Sequence, residues 1–561
     1  MIRRLRSAAD DVLLAARLAR SLAGFLRRPL DGETARAIVR RRLASRADDF
    51  LAMARGVFSG PAASPYRQLL QHAGCEYGDL ERLVRDDGVE GALGTLFQRG
   101  VFLTVEEFKG RRPVVRGSLH VECGPAQLVN PSTRPLLFAH SSGSRGPRTQ
   151  VPLDLAFVRD HAVNRRLSLE ARGALAWRHA VWGAAGGSDM SIVLRFAVCG
   201  ATLQRWFAPP ESGRRRRPGL PDPTVLGMRW GGVLAGRRLP WPRPTELLAI
   251  ARWMQQSLRA GATPHLKTYV TMALQLCEVA AAAGIELAGT QLTLTGESLT
   301  DVRHAFLAAH GARAASDYGS NETGQLGEPC AAPGAPDDLH LMDDLHSVIQ
   351  AGPAGQAHGL PPRALLVTSL RPTAPLILIN ASMGDEAWLT TRSCGCGLEA
   401  AGWRRHLHGV RSFEKLQSRG RTILDTDLVH ILDAVLPSRF GGAPSHYQLV
   451  EDQGPTGQLR LSVLVDPAVG PVDLAAVAEA FRQACGDPPL WREADVVRAI
   501  SALPRPTASG KILHLHRDVP APFTSRYRPM SWPCRWRCCR FAAQHAIVPV
   551  PQLMSSRRLR P

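Results

Sequence analysis

Apolar residues in the first part of the chain recur at three- and four-residue spacing, as in Ala35, Ile38, Val39 and Leu43, with arginines between them. That period predicts a mostly helical region over 1–115 with its charged faces outward. Past Pro135 the texture changes. Short apolar runs (Leu136–Phe138, Gln291–Leu294, Ala364–Val367) end in Gly/Ser turns and alternate with helical stretches. This is the pattern of strands layered between helices. Near Val410 a further change begins: Tyr447–Val450 and Leu459–Val465 alternate around Gln453–Gly457, a hairpin signal. Val472–Cys485 then reads as an amphipathic helix, ended by Gly486–Pro489.

The expected fold is therefore α/β: a large multi-layer α/β N-terminal domain and a small mobile α+β C-terminal domain. The divisions are a helical region over 1–115 packed on the large domain, the large domain over 116–409, the small domain over 410–523 and an Arg/Cys-rich disordered tail over 524–561. Glu211–Pro223, rich in Arg, Pro and Gly, is an exposed loop. The apolar runs fall short of the roughly 18–20 residues that span a bilayer, so no transmembrane segment is expected.

Composition changes this picture in one respect. Of 561 residues, 69 are Lys or Arg against 49 Asp or Glu, a net charge of +20. Only four of the basic residues are lysine: Lys109, Lys267, Lys415 and Lys511. The arginine excess is spread along the chain, with eight arginines in the tail, and no basic stripe carries interleaved aromatics. No nucleic-acid partner is expected. Eleven cysteines on a chain whose basic start runs into a charged helix point to reduced thiols and a cytoplasmic location.

The strongest local signal is Ser141-Ser142-Gly143-Ser144-Arg145-Gly146-Pro147-Arg148-Thr149, directly after an apolar run. Small hydroxyl residues and glycines let backbone N–H groups approach phosphate oxygens. Without Gly-Lys-Ser/Thr it is not a Walker loop. Downstream come Gly296-Glu297, then Tyr318-Gly319-Ser320-Asn321-Glu322-Thr323-Gly324, then Gly384-Asp385, and finally Ser509-Gly510-Lys511. A lysine retained there, in a chain that otherwise writes arginine, marks a place where a compact ammonium on a flexible stem is needed.

In this order the segments resemble the AMP-forming adenylating enzymes, over roughly residues 65–520, and are most similar to the phenylacetate-CoA ligase-like branch. The resemblance implies ATP-dependent activation of a small-molecule carboxylic acid through an acyl-adenylate, then transfer to a thiol. It implies that Ser141, Ser142, Gly143, Ser144, Gly146 and Thr149 cradle the phosphates of ATP. Gly296, Glu297, Tyr318 and Gly319 would border the nucleotide, Glu322 would hold Mg²⁺, Asp385 would bind the ribose hydroxyls and Arg411 would contact ribose or phosphate. Lys511 would reach from the small domain to the reacting carboxylate and α-phosphate. The implied acceptor is coenzyme A; delivery to a carrier protein and a degenerate nucleotide-binding role are the alternatives. Two positions depart from the pattern: Arg145 stands where threonine is usual, and Ser382-Met383 precede Gly384-Asp385 where an arginine is expected.

Cys330, His340 and the tight Cys394-Gly395-Cys396 turn form a second constellation. They offer a Cys₃His set suited to a tetrahedral structural Zn²⁺. The other reading is four unrelated reduced residues. Trp177, Trp182, Trp206, Thr268 and Tyr269 fall in the region that would shape an acyl pocket. The sequence sets neither the acid nor the oligomeric state.

Overall fold

Six parallel strands frame the interior: β1 (Arg178–Trp182), β2 (Leu203–Ala208), β3 (Pro242–Pro244), β4 (Pro264–Tyr269), β5 (Gln291–Thr295) and β6 (Arg313–Ser316). Their spatial order is β6-β5-β4-β1-β2-β3. The chain winds outward from β1 to β3, then returns to the other side of β1 and winds outward again through β4, β5 and β6. Helices Gly187–Val198, Pro223–Leu234, Leu247–Arg259, Val270–Ala282 and Asp301–Ala309 make the crossovers. A sheet covered on both faces buries whole strands, so β4 reads Pro-His-Leu-Lys-Thr-Tyr with all but its last residue buried. Its His265 is accommodated by a polar chain: Nδ1 lies 2.8 Å from His179 Nδ1, and Nε2 lies 2.8 Å from Thr293 Oγ1. Reversal of the winding direction between β1 and β4 leaves a crevice outside their carboxyl ends, the usual ligand position in open α/β sheets.

The computed structural model describes residues 2–140, 149–183, 187–201, 203–209, 223–413, 415–418, 421–453, 459–485, 497–507 and 511–517. An antiparallel seven-stranded sheet follows the first. It comprises β7 (Tyr318–Ser320), β8 (Gly324–Pro329), β9 (Leu339–Leu341), β10 (His346–Gln350), β11 (Ala364–Ser369), β12 (Ala381–Thr391) and β13 (Arg405–Ser412), in the order β7-β8-β9-β13-β12-β11-β10. Beyond β13 lies a smaller four-stranded sheet of β14 (Tyr447–Gln453), β15 (Leu459–Val465), β16 (Val497–Ser501) and β17 (Leu515–Arg517), ordered β16-β15-β14-β17. The expected hairpin is present as the antiparallel β14–β15 pair. Helix Leu474–Ala484 buries Val477 and Phe481 in a core with Leu449, Leu461 and Val463.

The architecture is mixed α/β, as the alternation of patterns predicts. Residues 1–518 form one compact unit, so the large and small parts are joined rather than separate bodies. The first helix, Ile2–Leu26, packs along Pro223–Leu234 through Gly227 and Gly231. A Cβ at Gly227 would lie 2.7 Å from Ala15 O, and one at Gly231 would lie 2.7 Å from Leu22 Cβ. Backbone contact of this kind is open only to glycine. Among the described residues no helix is long and apolar enough to cross a membrane. Residues 141–148, residues 211–222 of the loop expected over Glu211–Pro223 and the tail over 524–561 lie outside the described residues, while Pro223 begins a helix.

Candidate active site

A cavity of about 580 Å³ opens at the carboxyl ends of β1, β4, β5 and β6. Gly296, Glu297, Tyr318, Gly319, Glu322, Asp385, Arg411 and Lys511 all line it. Three of the four lysines, Lys109, Lys267 and Lys511, meet in this one space.

Lys511 arrives from the small part. Its ammonium donates to Gly296 O at 3.2 Å and lies 4.5 Å from the centre of the Tyr269 ring. Gly296 has φ +74°, and a Cβ there would come within 2.5 Å of the Lys511 nitrogen, so glycine is required on both counts. Thr507 fixes the backbone behind the side chain: its hydroxyl accepts from Lys511 N at 3.2 Å and its N–H donates to Lys511 O at 2.7 Å. Burial lowers the pKa of Lys511, while Glu297 and Asp189 act in the opposite direction. Glu297 is itself oriented by Thr271, whose backbone N–H donates at 2.8 Å and whose hydroxyl donates at 3.0 Å. That hydroxyl also accepts from Ile512 N at 3.4 Å, tying the residue after Lys511 to the large part.

Glu322 sits in the turn between β7 and β8 and is buried. Its carboxylate receives Lys109 Nζ at 2.6 Å, and the same ammonium reaches Thr149 Oγ1 at 3.4 Å. The neighbouring Asn321 donates to His140 O at 2.8 Å. His140 and Thr149 flank the Ser/Gly segment at the mouth of the antiparallel pair Leu137–His140 and Gln150–Leu153. The His140 end of that segment therefore meets the turn that carries Glu322 directly, and the Thr149 end meets it through Lys109. Of the segment itself, Ser141, Ser142, Gly143, Ser144 and Gly146 lie outside the described residues, while Thr149 is buried beside the cavity rather than in its lining.

At the opposite wall the Tyr318 hydroxyl donates to Asp385 Oδ2 at 2.9 Å, which aligns the ring of β7 with the carboxylate of β12. Asp337 accepts from the backbone N–H groups of Gly409 and Val410, each at 3.0 Å, and Ser298 Oγ donates to Val410 O at 3.0 Å. These bonds hold the strand just before Arg411, whose side chain is exposed at the cavity rim. On the floor, Asp317 pairs with Lys267 and with Arg165, the latter at 2.8 Å. Burial disfavours the Asp317 carboxylate, but the two cations outweigh it and hold it well below the usual range. Burial pulls Lys267 down to about 8, against the charge of Asp317. Asp189, in the first turn of Gly187–Val198, lines the same region and is pushed up to about 7 by burial.

Sequence reading finds the motif residues but misses Lys109, Lys267, Asp189 and Asp337. The scarcity of lysine was the available signal for the first two. Trp182, Thr268 and Tyr269 line the cavity; Trp177 and Trp206 do not. Trp206 is a core residue that donates from Nε1 to Gly183 O at 3.2 Å.

The Cys/His set also assembles. Single ligand atoms of Cys330, His340, Cys394 and Cys396 lie within 4.8 Å of one another. His340 Nδ1 is 2.8 Å from Trp403 O. A carbonyl only accepts, so the proton is on Nδ1 and the Nε2 lone pair faces the Cys396 and Cys394 sulfurs at 3.1 and 3.5 Å. Gly395 turns with φ +71°, and Glu399 accepts from Cys394 N and Gly395 N at 2.8 and 2.6 Å. Protonation state, donor softness and closure of the set fit a tetrahedral ion. Asp338 and His406 Nδ1, close by, pair at 2.8 Å, and Arg392 also pairs with Asp338, while His406 Nε2 is buried without a described partner.

No protein-family model and no curated protein matches the chain. Among solved structures it is similar to a 2-hydroxyisobutyryl-CoA ligase in its postadenylation state with 2-HIB-AMP, at 16% identity and a TM-score of 0.49 over 88% of this chain and 91% of that one. It is also similar to ATP-bound MatB from Rhodopseudomonas palustris, at 15% identity and 0.37 over 70% and 67% of the two chains. A third is the anthranilate CoA ligase AuaEII with anthranoyl-AMP, at 11% identity and 0.37 over 72% and 69%.

Proposed function

We propose that the protein activates a carboxylic acid with ATP and passes the acyl group to a thiol, coenzyme A. The observation that carries this reading is Lys511: a flexible ammonium from the small part, delivered to Gly296 at the switch-point crevice. An acid oxygen attacks the α-phosphorus, the bond to the β-phosphate oxygen breaks, and pyrophosphate leaves with that electron pair. Two anions must approach each other, and the Lys511 ammonium would offset their repulsion as the transition state forms. The thiolate then attacks the acyl carbon and AMP departs.

Other side chains have roles that follow from their chemistry. Asp385, an acceptor only, suits the ribose hydroxyls, and Tyr318 supplies an aromatic face beside it. Glu297, held by Thr271, keeps a negative charge near Lys511 and steadies the ammonium between turnovers. Lys109 and the Ser/Gly segment ending at Thr149 suit the distal phosphates. Glu322, a buried carboxylate with one oxygen receiving the Lys109 ammonium, would hold a Mg²⁺ ion. When bound, that ion would neutralise the triphosphate charge. Cys330, His340, Cys394 and Cys396 would hold a structural Zn²⁺ that clips β8, β9 and the turn after β12 together.

The test is ATP–pyrophosphate exchange across a panel of acids, with hydroxylamine to trap the activated acyl group. Wild-type protein yields a hydroxamate and Lys511→Ala loses exchange by about 100-fold or more. Equal exchange by the two proteins removes Lys511 from its role.

A further inference from the structure

Of the eleven large apolar side chains that stand exposed among the described residues, six lie in two stretches that pack together. Val12 and Leu13 are on the first helix, Trp230, Val233 and Leu234 on helix Pro223–Leu234, and Trp241 soon after it. The three on the second helix are spaced three and four apart, so they share one side. Gly227 and Gly231, on the neighbouring side, meet the first helix. Val233 is 68% exposed and Leu234 54%. The Arg229 guanidinium stands 5.5 Å from the centre of the Trp241 ring, which brings that ring beside the helix. Arg27, just past the first helix, donates to Leu234 O at 2.6 Å. One apolar side is thus edged by Arg229 near its start and by Arg27 at its end.

The charge around this side has one sign. Between Asp11 and Asp31, and again between Asp222 and Glu246, the chain has eight arginines and no acidic residue. Seven of the eight are exposed; the other, Arg237, is turned inward to donate to Ala197 O. Contiguous exposed apolar surface marks a place of contact, and its charged rim says with what. We infer that this helix pair docks the protein on an anionic lipid surface, lying on the bilayer without crossing it. Such a surface offers negative headgroups to the guanidinium groups and an apolar layer just beneath for the rings and alkyl groups. Tryptophan suits the headgroup boundary, and arginine can lay its apolar stem there while its head stays wet. The inference stands apart from the adenylation reading, since none of these residues lines the cavity.

The experiment is co-sedimentation of the full chain with vesicles of phosphatidylcholine alone and of phosphatidylcholine with an equal part of phosphatidylglycerol. Wild type is expected to bind the second and not the first, and to bind less as salt rises. Arg229→Gln with Arg238→Gln should weaken binding by about 30-fold, two charges being lost from the contact. Trp230→Gln with Leu234→Gln keeps the charge and should weaken it by about tenfold or more. Arg40→Gln with Arg41→Gln removes equal charge from helix Gly32–Ala44 and should stay within about threefold of wild type. All six positions are exposed, so the fold has little to lose at any of them. No binding to the phosphatidylglycerol vesicles overturns the inference. So does an equal loss in the Arg40/Arg41 pair, or full binding after the Trp230/Leu234 change. A dimer in solution that the Trp230/Leu234 change dissolves gives the face to a second copy of the chain and overturns it as well.

Discussion

A lysine surrounded by an arginine-rich sequence is a residue whose replacement has a chemical cost. Three such residues share one cavity, and they do different things there. Lys267 is neutralised in place by Asp317, Lys511 is delivered from another part of the chain, and Lys109 bridges Glu322 and Thr149. On the proposed adenylation reading, that third position would put Lys109 at the far end of the triphosphate rather than at AMP. Lys109→Met should therefore weaken ATP binding by about tenfold or more, the worth of a charged hydrogen bond, while AMP binding stays within about twofold. Calorimetric titration of the two nucleotides checks it, and an equal loss for both would reject the assignment. Much of the site was legible because Gly296-Glu297, Tyr318–Gly324, Gly384-Asp385 and Ser509–Lys511 are contiguous strings. Lys109 was not, because it follows a single capped turn, Val105–Phe108, whose local pattern says only where a helix starts.

At the level of elements, spacing predicted what stays near in sequence and missed what is joined across it. The Cys330/His340/Cys394/Cys396 cluster was readable because its ligands sit just after β8, on β9 and in the turn after β12, all within one antiparallel sheet. The order β6-β5-β4-β1-β2-β3 was not readable, since the same alternation of strands and helices serves any doubly wound sheet. Yet this crossing back to the far side of β1 is what makes the crevice. For the proposed zinc site the supporting residue is Glu399, which pins both N–H groups of the Cys394-Gly395 turn. Protein purified without added metal should carry one zinc per chain, by elemental analysis. Glu399→Ala should weaken zinc by about 10–100-fold in a competition with a chelator, with the cysteines intact. Zinc near zero in the wild type would leave the four residues as unrelated reduced side chains. The first helix gives a second element-scale outcome. Gly231→Leu places a side chain where Leu22 Cβ already stands 2.7 Å from a bare Cβ, so it should separate Ile2–Leu26 from Pro223–Leu234. Protease cleavage within residues 2–31 should then rise well before the rest of the chain is cut.

For the molecule as a whole, the question is what holds Lys511 in the crevice and what lets it leave. The ion pairs Arg303–Asp433 and Glu278–His446 join the parts, beside the contacts of Lys511 and Ile512. Arg303, from helix Asp301–Ala309, is buried against Asp433 at 2.7 Å, and His514 Nε2 is 2.8 Å from the same carboxylate. Burial raises the Asp433 pKa, but Arg303 and His514 outweigh it, so the net shift is downward. A depressed carboxylate contributes above its unfolded value of 3.8 and loses that contribution only as pH falls through the folded one. This contact therefore persists through neutral pH. His446 behaves in the opposite sense. It meets Glu278 of helix Val270–Ala282 at 2.6 Å; burial lowers its pKa, but the hydrogen bond and charge of Glu278 prevail and the net shift is upward from 6.5. A raised histidine gives its full contribution below the unfolded value and loses it as pH climbs through the folded one. The contact at His446 should thus release on the alkaline side of 6.5 while that at Asp433 holds. Small-angle scattering of the whole chain should show a radius of gyration that grows between pH 6 and pH 9. His446→Gln should flatten that dependence, and Arg303→Ala should enlarge the particle at every pH. If the His446→Gln protein expands with pH as wild type does, the His446–Glu278 contact does not control the opening. Because release of the small part withdraws Lys511, the same pH rise should slow adenylation more than transfer from a supplied acyl-adenylate. A uniform slowing of both would mean that the contact does not govern the position of Lys511.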